Sequence, residues 1–472
     1  MEFHTPAQSP APAAAATVPA LGPASPSVWP VSRGYAWTVF ALSFGLLLSD
    51  YMSRQVLNAV FPMLKSEWLL SDAALGSLSS IVALAVGVLT FPMSLMADRW
   101  GRVRSLLSAA TLWSIATLGC AISANYGQMC VARLFVGIGE AAYGSVGIAV
   151  VLSIFPIALR ATLSGAFIAG GAFGAVLGVS VGGAVAQAAG WRWAFAAMGI
   201  FGLVLAAVYG VVVKERRLVP AADPAEEPSD AAEAAAGSQD AARAPANAPL
   251  RVHLPRLFSS VSVISAYVGS GLQLFIAATL LSWLPSYFNR YYHLTTAKSG
   301  SAAGVYALII GVGMILGGVA SDRISAGVPL RKWAVAVGCS LGSLVLLTLA
   351  FQLPNDPAQL SVLVLGALLS AGSAGPAAAM VANLTPASVA ATAFGTLTLA
   401  NSLLGLAPGP ALTGVLADHI GLLGALRVVP LVAVAATAAF LVGRRWYERD
   451  LLRIGRLTAP AAEPELPAES TS

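Results

Sequence analysis

Long uncharged apolar segments recur along this chain and limit what it can fold into. Of its 472 residues, 57% are hydrophobic and 10% are charged, whereas soluble domains carry about 25% charged residues. Residues 105–124 and 193–213 contain no Asp, Glu, Lys or Arg, and about 20 apolar residues are enough for a helix to cross the hydrocarbon core of a bilayer. The sequence therefore predicts a polytopic membrane protein.

About twelve such segments follow one another, which predicts an all-α membrane protein of twelve transmembrane helices arranged as two pseudo-symmetric six-helix bundles. The predicted spans are residues 35–62, 73–97, 104–123, 127–152, 161–187, 192–213, 257–288, 297–320, 333–352, 359–382, 389–416 and 424–443.

A polar, acidic break rich in Ala and Pro separates the two sets of six. Its composition is typical of a flexible linker, although a partner-binding segment is the alternative. The predicted parts are a disordered tail at 1–32, bundles at 33–214 and 257–446, a cytoplasmic linker at 215–256 and a second tail at 447–472.

The distribution of Lys and Arg predicts the orientation. Basic residues such as Arg160 and Arg444 accumulate on the side that holds both termini, whereas the opposite loops carry few, among them Lys65 and Arg290. By the positive-inside rule both termini are cytoplasmic, and we expect a bacterial inner (plasma) membrane protein. The N-terminus lacks the basic start and apolar core of a signal peptide.

The sequence contains no signature of an enzyme. It has no P-loop, no Gly-x-Ser-x-Gly and no cluster with metal-ligand spacing, so we predict no catalytic residues, no metal and no cofactor. The net charge of +5 reflects the loops and does not indicate nucleic acid as a partner. The expected partners are a small-molecule or lipid-like substrate, protons and membrane lipids, and the expected state is a monomer.

A short motif occurs in both halves of the chain. Asp98-Arg99-Trp-Gly-Arg102 follows the second predicted helix, and Asp322-Arg323 follows the eighth. Two related bundles around a central path are typical of secondary transporters. On these residues and this layout, the sequence over 33–446 resembles the major facilitator superfamily.

Further details resemble the Spinster branch of that superfamily. They are Gly-Ile-Gly-Glu-Ala-Ala-Tyr at 137–143, Phe-Pro…Arg-Ala-Thr at 155–162, Gly-Trp-Arg-Trp-Ala-Phe at 190–195, Trp-Leu-Pro-Ser-Tyr at 283–287 and Asn401…Gly409-Pro410…Gly414…Asp418 in the eleventh predicted helix. The organic anion:cation symporters share a similar Gly-Glu-Ala segment. The resemblance implies transport by alternating access. It also implies a cytoplasmic gate at Asp98, Arg99, Arg102, Asp322 and Arg323, with ordinary positive-inside anchors as the alternative.

Two opposite charges lie inside the fourth predicted helix. Arg133 and Glu140 are seven residues apart and therefore share a face. Intramembrane charges are costly and mark functional sites by default. Because the proton affinity of a carboxylate depends on its burial and its distance from arginine, we predict that Glu140 carries the coupling proton. Arg133 is the candidate charge partner or substrate ligand; a static ion pair that fixes helix 1 against helix 4 is the alternative.

Helix 1 adds Asp50 and Arg54, which are four residues apart and can pair. Spinster relatives have an adjacent Asp-Arg at this point, but Ser53 precedes Arg54 here. Asp50 is therefore a second candidate for proton coupling, and coupling through Glu140 alone stays open. Tyr143, three residues after Glu140, could hydrogen-bond that carboxylate or the substrate, or could serve packing only.

The second half has no charge deep in its predicted helices, so its candidate substrate contacts are Gln273, Asn383 and Asn401. A charged half that faces an apolar one suits a solute with an acidic or zwitterionic head and an apolar body. The sequence thus predicts a proton-coupled transporter of a small organic or amphipathic solute, a class that includes lipid-like molecules. The alternatives are an organic-anion/proton symporter and a non-transporting membrane sensor or scaffold.

Glycines recur every four residues in the fifth predicted helix, at Gly170, Gly174, Gly178 and Gly182. Such a small-xxx-small ridge lets a second helix approach closely. We expect helix 8 as its partner, at Gly304, Gly311, Gly317 and Gly318, with plain close packing as the alternative to sliding.

Overall fold

A computed structural model of the chain describes residues 31–215, 260–326, 328–385 and 390–458, and the regular structure within these ranges is entirely helical. The first six helices are α1 Arg33–Trp68, α2 Asp72–Trp100, α3 Arg102–Ile122, α4 Tyr126–Ile154, α5 Ile157–Ala189 and α6 Trp191–Val212. The later helices are α7 Val261–Tyr291, α8 Thr296–Ile324, α9 Arg331–Ala350, α10 Pro357–Ser370, α11 Ala374–Asn383, α12 Ala390–Asn401, α13 Pro408–Val428 and α14 Val432–Thr458.

Single residues separate some consecutive helices and fix their connections. Gly101 lies between α2 and α3 with φ 93°, and Gly190 lies between α5 and α6 with φ 94°. Every residue except glycine is strained at these positive φ values. Each glycine therefore allows the chain to turn within one residue. At the start of α4, the side chain of Asn125 accepts a hydrogen bond from the backbone N–H of Gln128 at 3.0 Å, which satisfies one of the free donors of a helix N-terminus.

Ten stretches within the described ranges are long and apolar enough to cross a membrane. Large apolar side chains also face outward, such as Ile122 and Val211, which are 82% and 73% exposed. Extended apolar surface of this kind suits hydrocarbon rather than water. The predicted all-α membrane fold is confirmed at this level.

Three of the predicted spans are less regular than their hydropathy indicates. The predicted span 359–382 is broken at Ala371–Ser373 between α10 and α11. A π-helical turn, Ser402–Leu406, joins α12 to α13, and a 3-10 turn, Val429–Leu431, joins α13 to α14. Gly421 interrupts α13 with φ 77°. Such interruptions carry no hydropathy signal, because every residue involved can be apolar.

The glycine ridge of α5 packs against α1. A β-carbon at Gly174 would lie 2.7 Å from Cβ of Tyr51, and one at Gly178 would lie 2.8 Å from the backbone of Met52. Gly170 and Gly182 likewise face α1. The expectation that α8 is the partner of this ridge is wrong.

Helix α8 meets α5 on a different face. Its Gly311 lies against Ala172, and its Gly304 lies against Ser180 and Val176. Residues four apart stay on one side of a helix, so the ridge can serve only one neighbour. The spacing predicted a close helix contact but could not say which helix makes it.

Replacing Gly178 by Ala will destabilise the protein by about 1–3 kcal/mol, because the new methyl group must displace the backbone of α1. Gly165→Ala, in the same helix, is the matched control, since its β-carbon would meet nothing within 4 Å. Thermal unfolding in detergent measures both. Equal melting temperatures for the two variants would contradict this account of the ridge.

Candidate functional site

An ion pair joins α1 to α4 in the interior of the first six helices. Nε and Nη2 of Arg54 both donate to Oε2 of Glu140, at 3.0 and 2.6 Å. The Glu140 side chain is fully buried, whereas that of Arg54 is 23% exposed. Charge-assisted bonds of this kind are strong, so the pair holds α1 on α4 and leaves part of the guanidinium open.

Asp50 lies one turn before Arg54 on α1, beside this pair. It is buried and lies within electrostatic range of Glu140 and Arg54. Oδ1 of Asp50 and Oε1 of Glu140 are buried with no hydrogen-bond partner in the described part of the chain. Buried polar atoms nearly always have a partner, and a proton held between two carboxyl groups would provide one for both.

Arg133 on α4 is fully buried and bonds to backbone rather than to a carboxylate. Its guanidinium donates to the carbonyls of Ser53 at 3.1 Å, Arg54 at 3.3 Å and Leu78 at 3.4 Å. These bonds tie α1 and α2 to α4. They also hold a second positive charge within electrostatic range of the Arg54–Glu140 pair. Its role as a substrate ligand stays a prediction, and its side chain has no exposed surface in this conformation.

Tyr143 lies in the core within electrostatic range of Asp50, but its described hydrogen bond goes elsewhere. Its hydroxyl donates to the backbone carbonyl of Ser43 on α1. Its ring packs edge-on against Trp113 of α3, with 5.3 Å between ring centroids. The described contacts of Tyr143 are therefore those of a packing residue.

The three amide candidates of the second half lie in different environments. Gln273 is buried and donates to Ser343 of α9 at 3.4 Å, and Asn383 is exposed at the end of α11. Asn401 immediately precedes the π-helical turn, and its Oδ1 is buried with no partner within the described residues. Of the three, Asn401 is the one with a buried side-chain oxygen that lacks a partner among the described residues, and it lies at an irregular point of a helix, where functional sites often occur.

The predicted gate residues lie where α2 and α8 end. The side chain of Asp98 falls outside the described residues, Arg99 and Arg323 are exposed, and Asp322 is 75% exposed with Lys332 Nζ at 3.8 Å. Backbone N–H of Arg102 instead donates to Oε1 of Glu215 at 2.8 Å. Their gating role stays a prediction.

Two features of the structure were not predicted from the sequence. Glu215, at the start of the predicted linker, caps the N-terminus of α3 through Arg102 and Val103. At the opposite end of α2, Asp72 binds Lys65 and Arg290, and Asp418 caps the helix. Glu215 and Asp72 read in sequence as ordinary loop acids, and nothing local to Asp418 identifies its partner.

A family profile for the Major Facilitator Superfamily matches residues 42–403. The chain belongs to the major facilitator superfamily. Its members are transporters and not enzymes, so the chain is an integral membrane transporter of small molecules. The helical architecture agrees with the crystal structure of a bacterial homologue of the human lysosomal transporter Spinster, in an inward-facing, occupied conformation. The TM-score is 0.76 at 19% identity, covering 89% of this chain and 99% of that one.

Curated relatives in the superfamily differ in what they are named for. The chain is 26% identical over 303 residues to the probable L-galactonate transporter of Escherichia coli K12, covering 64% of this chain and 65% of that protein. It is also 26% identical over 373 residues to the probable sphingolipid transporter spinster homolog 1 of Arabidopsis thaliana, covering 76% of this chain and 74% of that protein. The predicted resemblance to the superfamily and to Spinster-type proteins is confirmed.

Proposed function

We propose that this chain is a proton-coupled secondary transporter that moves a small organic or amphipathic solute with an anionic head by alternating access. The observation that carries the proposal is the buried cluster of Asp50, Arg54, Arg133 and Glu140. It combines two carboxyl groups, two guanidinium groups and two carboxyl oxygens that lack a partner in the described chain. Buried ionisable groups inside a membrane mark proton and substrate paths.

The coupling step follows from competition for Arg54. While Glu140 is ionised, it holds both Nε and Nη2 of Arg54. A proton that binds the Glu140 carboxylate itself neutralises that group and weakens its pair with Arg54. Arg54, already partly exposed, is then free to bind a carboxylate or phosphate on the solute. Proton and anion therefore bind together, and loss of the proton restores the ion pair and expels the solute.

Twelve membrane spans in two bundles of six are the arrangement proposed for this mechanism, with the linker between them and both termini in the cytoplasm of a bacterium. Helix α1, with 36 residues, is long enough to cross a bilayer. The continuous stretch Thr392–Leu452 has 61 residues, which as one helix would be about 90 Å long. It therefore supplies two spans, divided near Gly421. With α10 and α11 forming one span, the count is twelve.

Transport by purified protein in proteoliposomes tests the proposal. We expect an inwardly directed proton gradient to drive accumulation of either a small hydroxy acid or a single-chain anionic lipid. The first result would favour the organic-anion alternative, for which the galactonate relative is a precedent, and the second the lipid-like solute. Movement of a solute with no response to pH would overturn proton coupling. A sensor or scaffold is favoured only if no solute moves and if deletion of residues 218–248 abolishes the role of the protein in the cell.

A further inference from the structure

An acidic residue at the start of α2 binds two cations from two other parts of the fold. Asp72 is buried, and its Oδ1 accepts from Nζ of Lys65 on α1 at 2.7 Å and from Nη2 of Arg290 on α7 at 2.6 Å. Its Oδ2 accepts from Nη1 of Arg290 at 2.9 Å. The Arg290 contact is bidentate, the strongest geometry for this pair, and it joins the first six helices to the second set.

A second carboxylate reinforces the same contact from α13. Oδ1 of Asp418 accepts from the backbone N–H of Asp72 at 2.7 Å, and Oδ2 accepts from that of Ala73 at 2.9 Å. A helix N-terminus favours negative charge and has free N–H donors. The two helices also touch, because a β-carbon at Gly414 would lie 2.3 Å from the carbonyl oxygen of Asp72.

Two further layers close the space between this contact and Arg54. Phe61 of α1 packs on Trp283 of α7, with ring centroids 5.3 Å apart, and both are fully buried. One turn nearer Arg54, Nδ2 of Asn58 donates to the carbonyl of Leu281 at 3.4 Å. From the end where α2 begins, access to the charged cluster is therefore blocked in succession by the ion pairs of Asp72, by the Phe61–Trp283 ring contact and by the Asn58–Leu281 hydrogen bond.

We propose that Lys65, Asp72, Arg290 and Asp418 form an outer lock, which holds the non-cytoplasmic end of the transport path shut and sets how often that end opens. This inference rests on the alternating access proposed above. Opening this end must move α2 away from α7 and α13, which breaks every bond described for Asp72 and Asp418 except the one to Lys65. At the other end, Asp322 of the predicted gate is mostly exposed, and Nζ of Lys332, 3.8 Å away, belongs to α9 of the same set of helices.

Distance measurement between two spin labels tests the outer lock. Nitroxides at Leu69→Cys and His293→Cys, both exposed, report the separation of the two halves at this end, in a background with Cys120, Cys130 and Cys339 replaced. Asp72→Asn leaves Arg290 without its charged partner. We expect it to raise the ratio of long to short distances about tenfold, equivalent to about 1.4 kcal/mol.

Arg290→Gln should produce the same shift, and the double variant Asp72→Asn/Arg290→Gln should shift the ratio no further than the larger single effect. Asp418→Asn should shift it in the same direction. If Asp72→Asn does not fold, Arg290→Gln and Asp418→Asn carry the test. An unchanged distance distribution in both of these folded variants would overturn the outer lock.

Glu67→Gln is the matched control. Glu67 pairs with Arg192 Nη1 at 2.7 Å near the same end, but this pair joins α1 to α6 within the first six helices, so we expect no change in the label distance. The readout needs neither solute nor proton. Failure of the outer lock would therefore leave pH-driven transport intact, whereas failure of the proposed function would show in the transport assay while the distance shift remained.

Discussion

Replacing Glu140 by Gln will abolish proton-driven accumulation of solute and reduce it to the level of protein-free liposomes. Glutamine keeps the size and one hydrogen-bonding oxygen of the side chain but cannot bind or release a proton. The Arg54–Glu140 pair then no longer changes with pH, so binding of solute is disconnected from binding of protons. Uptake under an imposed pH gradient measures the effect, and exchange of solute without a gradient should persist.

Asp50→Asn and Glu67→Gln are the informative companions of this variant. Asp50→Asn leaves the Arg54–Glu140 bonds in place but removes the second carboxyl group, so it too should impair proton-driven accumulation if the proton is held between the two. Glu67→Gln removes an ion-paired glutamate from the same helix outside the cluster and should transport normally. Gradient-driven uptake that survives Glu140→Gln would rule out the coupling mechanism proposed here.

Hydropathy and the cost of buried charge explain which parts of this fold the sequence predicts. Uncharged runs of membrane length locate most helices, because the bilayer tolerates little else. The same cost makes Arg133 and Glu140 conspicuous in α4, and Arg54 conspicuous in α1. What sequence spacing could not provide was the pairing. Helical periodicity placed Arg133 on the face of Glu140, yet backbone carbonyls of α1 and α2 satisfy its guanidinium, and Arg54 takes the carboxylate.

Contacts between distant parts of the chain could not be predicted from hydropathy or helical spacing. Arg290 and Asp418 are 218 and 346 residues from Asp72, and no local pattern around either residue points to Asp72. The same limit applies to the α5 ridge, whose spacing indicates close approach but is equally compatible with α1 or α8. Local sequence pattern determines whether a helix face allows close approach, and the topology of the fold determines which helix packs against it.

Arg54→Gln will destabilise the protein more than any other single change at the cluster that leaves the fold recognisable. It removes the cation that donates two hydrogen bonds to Oε2 of Glu140. The buried carboxylate is then unpaired, which costs about 3–5 kcal/mol. The double variant Arg54→Gln/Glu140→Gln removes both charges and should recover most of that loss, since two neutral amides can hydrogen-bond. Thermal unfolding of the two single variants and the double variant in detergent gives the coupling energy directly. Additive losses would show that the Arg54–Glu140 pair does not hold α1 on α4, and that Arg54 is available to solute regardless of the charge on Glu140.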